Sequence, residues 1–129
     1  MTPYRQQPPP IVILAFGGRV IGTHAHDGRR LWELDLGENR SDGARMLIDR
    51  DRVLALMGDV LVGLDYATGE VLFKTRVPDV LRGPRATLIV CYGVVVLASL
   101  GEAAGFSRED GSLLWHDGFK GYGLDAVAL

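Results

Sequence analysis

One six-residue pattern occurs three times in this chain of 129 residues, and its spacing limits the folds open to it. Asp27-Gly28-Arg29-Arg30-Leu31-Trp32 returns as Thr68-Gly69-Glu70-Val71-Leu72-Phe73 and again as Asp110-Gly111-Ser112-Leu113-Leu114-Trp115. The glycines Gly28, Gly69 and Gly111 stand 41 and then 42 residues apart. A fixed period in the range of about 20–50 residues denotes stacked supersecondary units, none of which can bury its apolar face alone. Gly22, Gly63 and Gly105 keep the same spacing, so the register holds inside the repeat as well as at its turn.

Each repeat reads as a run of short strands. Ile11–Phe16 has no polar position and is rich in β-branched residues, as expected of a strand covered on both faces. Gly17-Gly18 turns the chain into a second strand, Arg19–Ala25. Leu31–Leu36 then alternates, with Trp32, Leu34 and Leu36 on one face and Glu33 and Asp35 on the other. The same order returns in Arg52–Met57, Val60–Asp65 and Phe73–Val77, and in Val94–Ser99, Ala103–Arg108 and Leu114–His116.

Between the third strand of one repeat and the first of the next lies an outer element, Ala44–Asp49 and then Ala86–Tyr92. Leu124–Leu129 offers a similar strand after the third repeat. Four strands in each of three repeats predict 12 strands and no helix. The expected fold is all-β, with three four-stranded antiparallel repeats forming β-propeller blades at about 11–43, 44–85 and 86–129. Residues 1–10, with four prolines, are expected to be a flexible leader.

Asp-Gly and Thr-Gly in a hairpin let the glycine take positive φ while the preceding side chain caps the turn. Gly22, Gly63 and Gly105 suggest close approach of a neighbouring sheet. Trp32, Phe73 and Trp115 are expected to wedge adjacent blades together. Because propellers close with about 4–8 blades, three blades call for completion, and the simplest is a homodimer that makes a six-bladed ring.

Charge and composition narrow the partners. A formal net charge of −2 leaves no basic surplus for nucleic-acid binding. Acids and bases alternate and cancel from Glu38 to Arg52, which reads as a solvated face. No apolar run has the length of a membrane span, and no secretory leader is legible, so a cytoplasmic location is expected. Cys91 is the only cysteine; its apolar neighbours suggest a buried, inert thiol.

The repeated stretch resembles the pyrroloquinoline-quinone-type β-propeller repeat. Leu64-Asp65-Tyr66-Ala67-Thr68-Gly69-Glu70-Val71-Leu72-Phe73 is the copy most like that repeat, with Phe73 where the family usually has Trp. Gly28 with Trp32 and Gly111 with Trp115 keep the pattern, while His24 and Ser107 replace the aspartate found at Asp65. The resemblance implies the propeller architecture, in a family that includes quinone dehydrogenases, an outer-membrane assembly scaffold and many interaction modules. A quinone enzyme of this kind would bring a calcium-binding acid and amide set and a vicinal cysteine pair. With Asn39 the only asparagine and Cys91 the only cysteine, neither is provided.

Other chemistry is equally sparse. His24 and His26, with Asp27 or His116, have weak metal-ligand spacing, and no metal or other cofactor is expected. No G-x-S-x-G motif occurs. What remains is recognition at the loops. Glu38–Arg45 and Pro78–Arg85 fall on one end of the ring, where Arg40, Arg45, Arg82 and Arg85 would form a guanidinium rim for acidic peptides, carboxylates or phosphates. The expected function is a non-enzymatic scaffold binding a protein or peptide at that end. The alternative is a small-ligand or glycan-binding, lectin-like propeller, with a remnant of a quinone enzyme behind both.

Overall fold

The computed structural model describes residues 10–37, 44–78, 86–99 and 101–118. They form three antiparallel sheets. The first holds β1 (Ile11–Phe16), β2 (Arg19–His24) and β3 (Arg30–Asp35). The second holds β4 (Ala44–Asp49), β5 (Arg52–Met57), β6 (Val60–Asp65) and β7 (Val71–Arg76). The third holds β8 (Thr87–Cys91), β9 (Val94–Ser99), β10 (Glu102–Ser107) and β11 (Leu113–Gly118). Within each sheet neighbours in space are neighbours in sequence. Edge strands β4 and β8 approach one another, so the second and third sheets converge there and carry β7 and β11 on their far edges, as propeller blades do.

Two expectations about the strands need correction. Among the described residues 11 strands are found, and the first sheet has three and not the four expected of each repeat. Ala44–Asp49, expected as an outer element between the first two repeats, pairs with β5 from Ala44↔Met57 to Asp49↔Arg52 and forms the edge of the second sheet that approaches β8. The physical reason is the tight turn after it. Arg50 takes φ 56° and Tyr92, one repeat later, φ 53°, and these left-handed residues fold β4 back on β5 and β8 back on β9. The leader through residue 9 and the strand expected at Leu124–Leu129 lie outside the described residues.

The hairpin turns behave as their sequence requires. Gly28, Gly69 and Gly111 have φ of 72°, 76° and 75°. Each donates its N–H to the carbonyl four residues earlier, at 2.8 Å. The side chain before each glycine caps the turn: Asp27 and Asp110 accept from the N–H of Arg29 and Ser112 at 2.9 Å, and Thr68 from Glu70 at 3.2 Å. Those backbone hydrogen bonds hold the Asp27 and Asp110 carboxyls below the usual carboxylate range.

Each sheet carries an irregularity after the second glycine of its repeat, at Gly22/Thr23, Gly63/Leu64 and Gly105/Phe106. Gly22, Gly63 and Gly105 pair with Trp32, Phe73 and Trp115, and a Cβ on any of these glycines would overlap the ring opposite. The space left by these glycines is therefore filled by an aromatic of the same sheet, not by a neighbouring sheet. The neighbour supplies the other cover. A Cβ on Gly69 would overlap Trp32, and one on Gly111 would overlap Phe73, so each ring lies between its own strand glycine and the turn glycine of the next blade. Hydrogen bonds lock the contact. The Trp32 indole donates to the Tyr66 carbonyl at 3.0 Å, and the Thr75 hydroxyl to the Gly111 carbonyl at 2.8 Å.

The core has two layers on either side of the second sheet. Val20, Val53, Ala55, Met57, Val62 and Leu64 pack with Trp32 and Leu34 between the first two sheets. Leu54, Leu56, Leu61, Phe73, Val95, Leu97 and Phe106 pack between the second and third. Full burial of each large aliphatic stabilises the fold by about 1.5–3 kcal/mol. β1, expected to be covered on both faces, is not. Val12 and Phe16 remain 44% and 62% exposed, whereas the equivalent strand β5 is buried from Val53 to Met57.

Two glycines with the same backbone separate the cost of φ from the cost of blade contact. Gly93→Ala, at φ 75° with open space beyond it, is expected to lose about 1–2 kcal/mol. Gly111→Ala, also at φ 75° but against Phe73 and Thr75, should lose about 1–3 kcal/mol more from overpacking. Urea denaturation of the two variants, read at unchanged slope, checks the difference.

Candidate interaction surface

Of the four arginines expected to form a rim at the loop end, only Arg45 falls among the described residues. Arg45 is exposed and lies opposite Leu56, as the second residue of β4 and not in the loop assigned to it. Arg40, Arg82 and Arg85 lie outside the described residues. At this same end the β5–β6 turn is anchored to β7: Arg76 donates to Asp59 at 3.0 Å, and the Val77 N–H donates to the Asp59 carbonyl at 2.8 Å. Arg19 likewise ties β2 to Glu33 on β3 at 3.1 Å.

The opposite end holds a denser polar site that the sequence reading passed over. Arg108, directly after β10, is 9% exposed. Its Nε donates to Asp49, its Nη2 to the Asp49 carbonyl at 3.0 Å and to Asp51 at 2.9 Å, and its Nη1 to Glu109 at 3.1 Å. Arg52 on β5 closes the network, donating to the carbonyls of Arg108 and Glu109 and to the Glu109 carboxylate at 3.0 Å. Burial works against the charge on Arg108, but the hydrogen bonds it donates to Asp49 and Asp51 outweigh it and raise its pKa. Reciprocally, the hydrogen bond from Arg108 lowers the Asp51 carboxyl. Part of the alternating stretch read as a solvated face is therefore an ionic tie between the second and third blades.

Repeat position explains the tie. Ala25, Tyr66 and Arg108 occupy one register, three residues after the strand glycine, and their N–H groups donate to Pro10, Asp51 and Gly93 respectively. From that position the Tyr66 hydroxyl reaches the N–H and the carbonyl of Ile11 in the previous blade, both at 3.0 Å, as Arg108 reaches Asp49. Aligning this column in the sequence is the signal that would have found Arg108.

Asp49, Arg50, Cys91, Tyr92, Arg108 and Glu109 line a cleft of about 420 Å³ at this end. Cys91, expected to be buried, is only half-buried there, because it ends β8 at the turn. The histidines do not converge. The rings of His24 and His26 lie 5.7 Å apart in the first sheet, whereas His116 pairs with Glu102 at 2.7 Å in the third. Among the described residues no three His, Cys, Asp or Glu side chains are grouped as metal ligands would be.

Three blade-like sheets with an aromatic held between glycines at each junction define an array of quinone-type β-propeller blades. The family model described as outer membrane protein assembly factor BamB matches residues 16–124, and the chain belongs to that family. Among solved structures, BamB from Moraxella catarrhalis is similar, with a TM-score of 0.66 and 19% identity over 86% of this chain and 34% of its own. The quinohemoprotein alcohol dehydrogenase from Comamonas testosteroni is similar with a TM-score of 0.63 and 18% identity, over 84% of this chain and 19% of its own. At these identities the likeness is one of fold. The chain thus spans about a third of the length of the one and a fifth of the other. Among curated proteins none matches.

Arg108→Met removes the charged donor while keeping much of the stem, and is expected to lose about 1.5–3 kcal/mol, the range for hydrogen bonds to charged groups. Asp51→Asn, at an exposed carboxylate, should lose less than about 1 kcal/mol. Because folding lowers the Asp51 pKa from its ordinary 3.8, the ionised carboxylate favours the folded chain above 3.8 and loses that effect as pH falls through the lowered value. Denaturation of wild type and Arg108→Met at neutral and acid pH should therefore show the gap between them narrowing on the acid side.

Proposed function

We propose that the chain is a non-enzymatic β-propeller scaffold that holds a protein or peptide at the end of the blades carrying the 36–43 and 77–86 connections. The observation that carries this reading is the family match over residues 16–124, since that family is described by an assembly factor for outer membrane proteins. The blade geometry agrees with it. The repeated aromatics and turn glycines are consumed in fastening blades, which leaves recognition to the parts that do not repeat. Exposed Arg45 stands at the loop end, and Arg40, Arg82 and Arg85 belong to the two connections there. Guanidinium groups pair bidentately with carboxylates, so the partner surface is acidic.

A photo-reactive residue in place of Arg45, in cells that make the protein, is expected to yield an adduct with another protein. The adduct should survive Lys74→Ala on β7 and disappear when Arg40, Arg82 and Arg85 are all changed to Ala. Failure to obtain a protein adduct, together with glycan binding at one site per blade, would overturn the scaffold reading in favour of a ligand-binding propeller.

A further inference from the structure

The cleft beside Arg108 lies between the second and third blades, at the end opposite the loops. Asp49 and Arg50 come from the end of β4 and its turn, Cys91 and Tyr92 from the same positions one repeat later, and Arg108 and Glu109 from the segment after β10. Its volume of about 420 Å³ falls in the range of small-ligand sites.

Charge in the cleft is engaged except at one group. Both carboxylate oxygens of Glu109 accept hydrogen bonds, Oε1 from Arg108 at 3.1 Å and Oε2 from Arg52 at 3.0 Å. Asp49 accepts from Arg108 through its carboxylate and its carbonyl. Among the described residues Arg50 has no ion pair and no side-chain hydrogen bond, so its guanidinium is open to a ligand. By holding Asp49, Arg108 keeps the neighbouring carboxylate from taking that guanidinium.

Backbone conformation singles out the same place. Among the described residues, Arg50 and Tyr92 are the only non-glycines with positive φ, at 56° and 53°. Tight hairpin turns favour asparagine or glycine at such positions, so the turns themselves give no reason for an arginine and a tyrosine. Both side chains border this cleft, and Tyr92 is 98% exposed, with its ring uncovered.

We propose that the cleft binds a small aromatic carboxylate, whose charged end pairs with the Arg50 guanidinium while its ring lies against Tyr92 and Cys91. A neutral ligand would leave Arg50 unpaired. A cation would have to compete with Arg52 and Arg108 for Glu109.

Cys91 is the only cysteine of the chain and lines the cleft, so its alkylation reports what enters. Iodoacetate and iodoacetamide react alike: the S–C bond forms as C–I breaks, iodide leaves, and the thiol proton passes to solvent. They differ in charge, and the ratio of their rates cancels the thiolate fraction. Relative to the same chain unfolded in urea, the folded chain should raise the iodoacetate-to-iodoacetamide ratio by about threefold or more. Arg50→Gly, which suits the left-handed turn, should return the ratio to the unfolded value, and Arg30→Gln on the first sheet should leave it raised. Benzoate should slow alkylation by iodoacetamide in a saturable manner, acetate should do so less, and benzyl alcohol should have no effect. A thiol that neither reagent reaches in the folded chain, a ratio equal to that of the unfolded chain or unmoved by Arg50→Gly, or equal protection by benzoate and benzyl alcohol would each overturn the proposal.

Discussion

The structure depends on one contact: an aromatic ring held between two backbone segments that have no side chain. Gly63 opens the floor for Phe73 within its own sheet, and Gly111 brings the next blade onto the other face of the same ring. Both glycines are required by space, and Gly111 also by its φ of 75°. Because the ring comes from β7 and the second glycine from the turn before β11, the contact converts a local hairpin into a spacing between sheets. A blade without it would still be a meander, but its apolar face would have no fixed partner. This is why the aromatic and the two glycines keep one register through all three repeats while the loops diverge.

Electrostatics adds specificity to a junction that packing has already made. Tyr66 and Arg108 share a position in the repeat, yet one joins the first two blades through a neutral hydroxyl and the other joins the next two through a guanidinium and several carboxylates. Arg108 is buried enough that the loss of its partners would leave a costly charge, whereas Asp51 remains largely in water. Junctions that are equivalent in packing are therefore distinct in polar chemistry. At a junction without these acids the guanidinium would be buried without partners.

Much of the fold was legible because glycine and aromatic positions report backbone demands directly. The turn at Asp27-Gly28 needs positive φ and a capping carboxylate, and both requirements are visible in residue type. What escaped was assignment of parts that look alike locally. Ala44–Asp49 has the composition of an outer strand, and only its pairing with β5 through the tight turn at Arg50 places it at the edge where sheets converge. The ionic site was hidden for a related reason. Asp49, Asp51 and Arg52 belong to a stretch whose charges cancel, and nothing within that stretch reveals that Arg108, far along the chain, enters it. Of the rim arginines, Arg45 proved to be a strand residue, since the connection before it ends sooner than its polarity suggested.

The sequence by itself determined the period, the strands, the hairpin turns and the existence of a ring-and-glycine junction, because each follows from what a single residue allows its own backbone or its facing strand to do. Tertiary structure decided which glycine lies under which ring, that β4 and β8 open their sheets, and that Arg108 is tied to acids of the preceding blade. Those outcomes depend on how whole sheets rotate against each other, and that rotation is a property of the packed blades, not of any one of them.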